Sequence, residues 1–300
     1  MFRPAGIMAA IVSPMYENET LNLPGLRTHV NRMIENGVHG LFCLGTNGEF
    51  YALSYVERVQ VIETVVAAAN RRVPVLAGVG AISTKETIEL ARAAESLQVE
   101  AVSVITPYFV PLSQAELIRH YRKVADATSL PLVLYNIPMR TGNHLEPKTV
   151  ATLAGVPNIV GIKDSSGEIN TIRAYIQGTS DDFAVLSGND SIILEGLRAG
   201  AKGAVAAIAN ICPGWVSEIY SAWIRGDQKT AETMQEQVNL VRRILSGGNP
   251  NTMVKKAVTL LGYSVGPCRE PVSGDSPEAE AHVRTILESV GLLAPIVDER

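Results

Sequence analysis

The chain has 300 residues, of which 46% are hydrophobic and 19% charged, with a formal net charge of -4. That length suits one α/β barrel with an extension and is too great for a small stapled domain. No basic stripe speaks for nucleic acid, no apolar run is long enough to span a bilayer, and three scattered cysteines (Cys43, Cys212 and Cys268) argue against a disulfide framework.

The first stretch, Met1 to Ala10, lacks the apolar region and cleavage site of a signal peptide. A reduced, cytoplasmic protein is therefore expected. From there, short apolar runs alternate with helical stretches. The runs read as strands are Ile7–Val12, His39–Leu44, Val73–Val79, Ala101–Thr106, Leu132–Ile137, Ile159–Lys163, Ala184–Ser187 and Gly203–Ile208. Between them, Tyr55–Ala69, Thr84–Leu97, Gln114–Ala127 and Glu168–Gln177 stand out as amphipathic helices. Ser54 with Glu57, and Ser83 with Glu86, read as capping boxes. Each strand is nearly all apolar, as expected where both faces are covered. Eight such units in a row predict a (β/α)8 barrel over residues 1–225, carrying the active site. After Gly226 the strands stop. Gln228–Leu245, Asn251–Leu261 and Pro277–Val290 read as helices, so residues 226–300 are expected to form a helical extension packed on the barrel. The low share of charge points to surface hidden in the fold or in oligomer contacts.

Barrel enzymes place their chemistry at the C-terminal ends of the strands. Polar and glycine residues gather at those ends here: Gly45–Glu49, Thr106–Phe109, Tyr135–Pro138 with Arg140, Lys163–Gly167 and Ser187–Asp190. Lys163 is the one lysine ending an apolar strand. Desolvation of an ammonium without a counter-charge favours the neutral amine, and a neutral amine attacks carbonyls. The plainer alternative is a lysine that reaches solvent or pairs with Asp164. Tyr135 ends the neighbouring strand, where a phenol can move protons; alone it would more often be a core tyrosine. Thr46, Asn47 and Gly48 form a turn able to aim backbone N–H groups at a carboxylate, or an ordinary loop. Arg140 can hold a second carboxylate in its planar fork, or be a solvated charge.

Other motifs fail. Gly78–Val79–Gly80 lacks the third glycine of a dinucleotide loop. The histidines at 29, 39, 120, 144 and 282 have no metal-ligand spacing. Neither a metal nor an organic cofactor is expected.

Taken together, Gly45–Glu49, Thr106–Tyr108, Tyr135–Pro138, Gly161–Gly167 and Gly266–Pro271 resemble the dihydrodipicolinate synthase / N-acetylneuraminate lyase family of class I aldolases, over nearly the whole chain. The resemblance implies that Lys163 forms an imine with pyruvate and that Tyr135 is the acid/base. Thr46 would link Tyr135 to bulk solvent and, with Asn47, bind the pyruvate carboxylate. Val205 would offer a backbone carbonyl near the lysine. It also implies a homotetramer acting on small 2-oxo acids and aldehydes. The Asn136–Gly142 loop resembles the synthase branch, in which the arginine holds the carboxylate of aspartate semialdehyde. Three features depart from it. Phe109 replaces a tyrosine that reaches the neighbouring subunit's site, Asn47 replaces a threonine, and Phe50 replaces a small residue. Gly48–Glu49–Phe50 is closer to aldolases of 2-keto-3-deoxy-sugar acids and 4-hydroxy-2-oxoglutarate. A deoxy-sugar-acid dehydratase, and a barrel that has lost catalysis and only binds, are further alternatives.

Overall fold

Every strand is buried along its whole length, which requires cover on both faces. The computed structural model, which describes residues 2–272 and 276–294, meets that need with a closed barrel of eight parallel strands in sequence order. The first half runs β1 (Gly6–Ala10), α1 (Leu23–Glu35), β2 (Gly40–Cys43), α2 (Tyr55–Ala69), β3 (Val75–Gly78), α3 (Thr84–Ser96), β4 (Ala101–Ile105) and α4 (Gln114–Ala125). The second half runs β5 (Leu132–Asn136), α5 (Pro138–Thr141), α6 (Pro147–Ala154), β6 (Ile159–Asp164), α7 (Ile169–Gly178), β7 (Ala184–Ser187), α8 (Ile193–Ala199) and β8 (Gly203–Ala206). Helices α9 (Pro213–Ile224), α10 (Gln228–Arg242), α11 (Pro250–Leu260) and α12 (Pro277–Ser289) follow. The fold is thus the expected (β/α)8 barrel with helices at its C-terminal end.

Several strands stop short of the apolar runs that announce them. Ile11 and Val12 are as buried as any strand residue. Yet the Val12 N–H donates to the Asn210 side chain instead of a strand neighbour. Ile208 likewise opens a 3-10 turn, Ile208–Asn210. Burial, which the sequence displays, and ladder pairing, which it does not, part company at these ends. The last turn of the expected Gln228–Leu245 helix tightens into a 3-10 segment, Arg243–Gly247. The capping box at Ser54 forms in both directions. At Ser83 only half of it forms: the hydroxyl accepts from Glu86 N, while the Glu86 carboxylate turns to Arg58, 3.7 Å away.

Two details of register position the site. Between β5 and β6 the pairing shifts after Leu132, so that Leu132 faces Ile159 but Val133 faces Gly161. That one-residue slip puts Tyr135 opposite Lys163 and Asn136 opposite Asp164. Further along, Asn251 and Lys255 are four residues apart on α11 and so share one face. That face meets the loop after β2. Lys255 Nζ lies 2.5 Å from Glu49 Oε1, with both side chains buried.

Candidate active site

Lys163 projects from β6 with 5% of its surface exposed. Its Nζ sits 3.9 Å from the centre of the Tyr135 ring and 4.8 Å from that of Phe42 on β2. Phe42 in turn meets Tyr135 edge to face at 6.1 Å. No ion pair joins Lys163 to a carboxylate among the described residues. Asp164 faces the other way, as alternation along a strand requires. It accepts hydrogen bonds from Asn136 Nδ2 at 2.7 Å and Ser166 Oγ at 2.5 Å. The alternative of a Lys163–Asp164 pair is thereby set aside.

The Tyr135 hydroxyl is 3.2 Å from Thr46 Oγ1, with either oxygen able to donate. Burial pushes the phenol up. The charge on Lys163 outweighs that, together with hydrogen bonding to Thr46, Lys163 and Ser165, and the phenol ends below its ordinary value. Ser165 was not singled out in the sequence, although its hydroxyl both reaches Tyr135 and donates to Gly188 O at 3.3 Å. Gly188 is closely packed: a Cβ there would lie 2.0 Å from Ser165 Oγ and 2.9 Å from Lys163 Cε. Asp190 is a second omission. Burial pushes its carboxyl up, and it accepts from the Ile208 N–H at 3.0 Å.

The loop after β2 is a tight turn, with Leu44 and Glu49 both in the left-handed region at φ 56 and 53. Gly48 plays a different part from the one expected. Its N–H donates to Gly45 O within the turn, and a Cβ there would lie 3.0 Å from Leu44 N. Gly48 therefore shapes the turn, and its amide is not turned to a ligand. The Thr46 and Asn47 amides have no protein acceptor among the described residues.

Thr46 also lines a cavity of about 270 Å³ bounded by Phe50, Tyr51, Tyr108, Arg140 and Asn251, among others. Arg140 stands at its exposed rim on the short helix α5. Asn251 comes from α11; its Nδ2 donates to Thr46 O at 2.8 Å and Tyr51 Oη at 3.0 Å. Nothing in the sequence marks Asn251 as part of a barrel site, because it lies 205 residues from Thr46. Val205 is buried on β8 and pairs with Met8; β7 stands between it and Lys163. Phe109 lies outside the cluster, 89% exposed with φ 80. A larger groove of about 450 Å³, flanked by Glu19, Lys256 and Glu280, contains none of the predicted site residues.

The profile of the dihydrodipicolinate synthetase family matches residues 3–290. A 4-hydroxy-tetrahydrodipicolinate synthase of Methanopyrus kandleri is 38% identical over 295 residues, covering 97% of this chain and 98% of its own. YagE of E. coli K12, a prophage protein of the dihydrodipicolinic acid synthase family solved in complex with pyruvate, is 33% identical. It superimposes with a TM-score of 0.93 over 96% of this chain and 99% of its own. The dihydrodipicolinate synthase of Acinetobacter baumannii, also solved with pyruvate, is 36% identical with a TM-score of 0.93 over 96% of this chain and 99% of its own. No helix among the described residues is long and apolar enough to cross a membrane. On the strength of this match across nearly all its length, the chain is a lyase of the dihydrodipicolinate synthetase family.

Proposed function

We propose that Lys163 forms a Schiff base with pyruvate and that the enzyme condenses the resulting enamine with aspartate semialdehyde, as a 4-hydroxy-tetrahydrodipicolinate synthase does. The observation that carries this is the buried amine of Lys163 beside the Tyr135 ring, 3.9 Å from its centre. The amine adds to the pyruvate ketone and water leaves, with Tyr135 supplying the proton that makes it a leaving group. The protonated imine then draws electrons from the methyl group, whose proton passes to the phenolate. The enamine carbon attacks the aldehyde carbon, and Tyr135 returns the proton to the new alkoxide. The acceptor's own amine then adds to the iminium carbon and displaces Lys163, its proton passing to the phenolate, which closes the ring and restores the enzyme. A phenol whose value is lowered moves towards the operating pH, where a proton-transferring group works best.

In this reading the free amides of Thr46 and Asn47 take the pyruvate carboxylate, and Thr46 Oγ1 passes protons between Tyr135 and the cavity. Val205 keeps the part the resemblance gives it, a backbone carbonyl offered near the lysine. Arg140 takes the carboxylate of the second substrate, which its place at the cavity rim supports. The relatives that carry the synthase name support the choice of acceptor. A second reading is an aldolase of a deoxy-sugar acid or of 4-hydroxy-2-oxoglutarate. It is favoured by the neutral hydrogen-bonding groups of Tyr51, Asn249 and Asn251 in the cavity wall, which suit hydroxyl groups.

We also propose a homotetramer in which Phe109 projects into a neighbouring subunit. An apolar ring left 89% exposed, with Val110, Ile82 and Met139 exposed as well, marks a surface suited to association. Three free, buried cysteines suit a reducing compartment such as the cytoplasm.

The test is a panel with product detection: pyruvate with aspartate semialdehyde, against cleavage of 2-keto-3-deoxygluconate and of 4-hydroxy-2-oxoglutarate. The synthase reading expects turnover of the first pair at a kcat/KM at least about a hundredfold above either cleavage, within the usual enzyme range. Preferred cleavage of either acid would replace it with the aldolase reading.

A further inference from the structure

The loop that carries Thr46 is held from outside the barrel. Asn251 is 4% exposed and belongs to α11. A carbonyl oxygen only accepts, so the amide nitrogen of Asn251 is what faces Thr46 O. Its two hydrogens go to two acceptors, Thr46 O and Tyr51 Oη. The same carbonyl also accepts the Glu49 N–H at 3.1 Å, closing the turn. One turn further along α11, Lys255 pairs with Glu49, and the Arg269 N–H donates to Glu49 Oε2 at 2.9 Å. The loop after β2 is thus gripped at both ends by residues from beyond the barrel. Thr46 is the residue whose hydroxyl meets Tyr135.

We propose that Asn251 is a positioning residue, whose amide fixes the Thr46 carbonyl and so aims the Thr46 hydroxyl at the phenol that moves the substrate's methyl proton. This rests on the reading that Tyr135 carries that proton. A hydroxyl swung by about 1 Å breaks a proton path without touching the amine that forms the imine. Asn251 would therefore govern the rates of the steps in which Tyr135 moves a proton and leave the equilibrium fraction of imine alone. That division separates it from a residue that only holds the fold together.

The experiment follows exchange of the pyruvate methyl hydrogens for deuterium in D2O by NMR, with the full-length protein and no aldehyde. The fraction of enzyme trapped by borohydride, after pyruvate and enzyme have been left to reach equilibrium, is measured in parallel. Asn251→Leu, close in volume and without a donor, is expected to lower the exchange rate at saturating pyruvate about ten- to a hundredfold with the trapped fraction unchanged. Asn251→Asp supplies a second readout that does not depend on the leucine variant folding. Its ionised carboxylate cannot donate to Thr46 O, and its protonated form can. Its exchange rate relative to wild type at the same pH is expected to rise as the pH is lowered from about 8 to about 5. Wild-type exchange in Asn251→Leu, or a ratio for Asn251→Asp that does not change with pH, overturns the role of Asn251 alone. A wild-type enzyme that neither traps nor exchanges pyruvate overturns the Schiff-base reading and this role with it.

Discussion

Tyr135 and Lys163 stand opposite one another on adjacent strands because the pairing of β5 with β6 slips by one residue after Leu132. Continued in its first register, Leu132 opposite Ile159, the ladder would have set Lys163 against Asn136. A one-residue slip sends a side chain to the other face of a sheet, and irregularities of this kind are common next to active sites. Here it places an amine 3.9 Å from the centre of an aromatic ring inside a closed barrel.

The space beside Lys163 is reserved by a missing side chain. Gly188→Ala would bring a Cβ within 2.9 Å of Lys163 Cε and 2.0 Å of Ser165 Oγ. The lysine stem and the serine must both move, and with them the position of the imine. A fall in kcat/KM for pyruvate of about a hundredfold is expected, together with a lower melting temperature, because the Cβ would also lie 2.9 Å from the backbone oxygen of Asp164. Unaltered kinetics would show that the stem has room to spare.

Arg140 is exposed at the cavity that Thr46, half-buried, also lines. Arg140→Ala should raise KM for aspartate semialdehyde about tenfold or more, the loss of one charge-assisted hydrogen bond. KM for pyruvate should stay within about twofold, the small effect expected of a residue that does not touch it. Steady-state kinetics with each substrate varied in turn makes the comparison. Equal losses for both substrates would count against Arg140 as the acceptor's partner.

Phe109 holds a backbone conformation that bulky residues rarely adopt, φ 80, while its ring is almost wholly exposed. Strain of this kind persists where the surroundings require it, and a neighbouring subunit would supply that requirement. Sedimentation of the purified protein is expected to show a tetramer, and Phe109→Asp a smaller species. A monomeric wild type removes the proposed assembly.

Acid should weaken the fold in two windows. Burial drives the imidazole of His29 down from 6.5 to about 4, against the opposing effect of the hydrogen bond that its Nε2 donates to Asn210 Oδ1. Unfolded chain takes up that proton from about pH 6.5 downward while folded protein resists until about 4, so stability falls as pH drops through this interval. His120, also held near 4 by burial, adds to the effect. Glu57 acts lower. The Arg269 guanidinium holds its carboxylate at about 2 against 4.5, so its contribution is present above pH 4.5 and disappears as the pH falls towards 2. The urea midpoint should therefore be lower at pH 5 than at pH 7, and lower again at pH 3. A midpoint that rises between pH 7 and pH 5 would contradict the assignment of buried, neutral histidines.

Much of this site was legible in the sequence because barrels put chemistry at strand ends and strands announce themselves by burial. Lys163, Tyr135, Thr46 and Arg140 stand out as candidates that way, and the structure brings the first three together. What escaped depends on three-dimensional relationships that leave no local pattern. The slip between β5 and β6 does not alter the apolar run of either strand. The turn that uses the Gly48 amide internally looks the same in sequence as one that offers it to a ligand. Asn251 and Lys255 reach the β2 loop across more than 200 residues, and only the packing of α11 on the barrel reveals them. Ser165 and Gly188 lie within the motifs that were read, but their approach to Lys163 is a matter of distance alone.

The claim at the centre of the account is a covalent one, and borohydride reduction tests it directly. The wild-type protein incubated with pyruvate and then reduced should gain one pyruvate-derived adduct per chain, mapped by peptide mass spectrometry to Lys163. Lys163→Arg should gain none, and Tyr135→Phe should form the adduct about a hundredfold more slowly, the usual loss on removing an acid/base. An adduct on another lysine, or no adduct in the wild type, would contradict the assignment of Lys163.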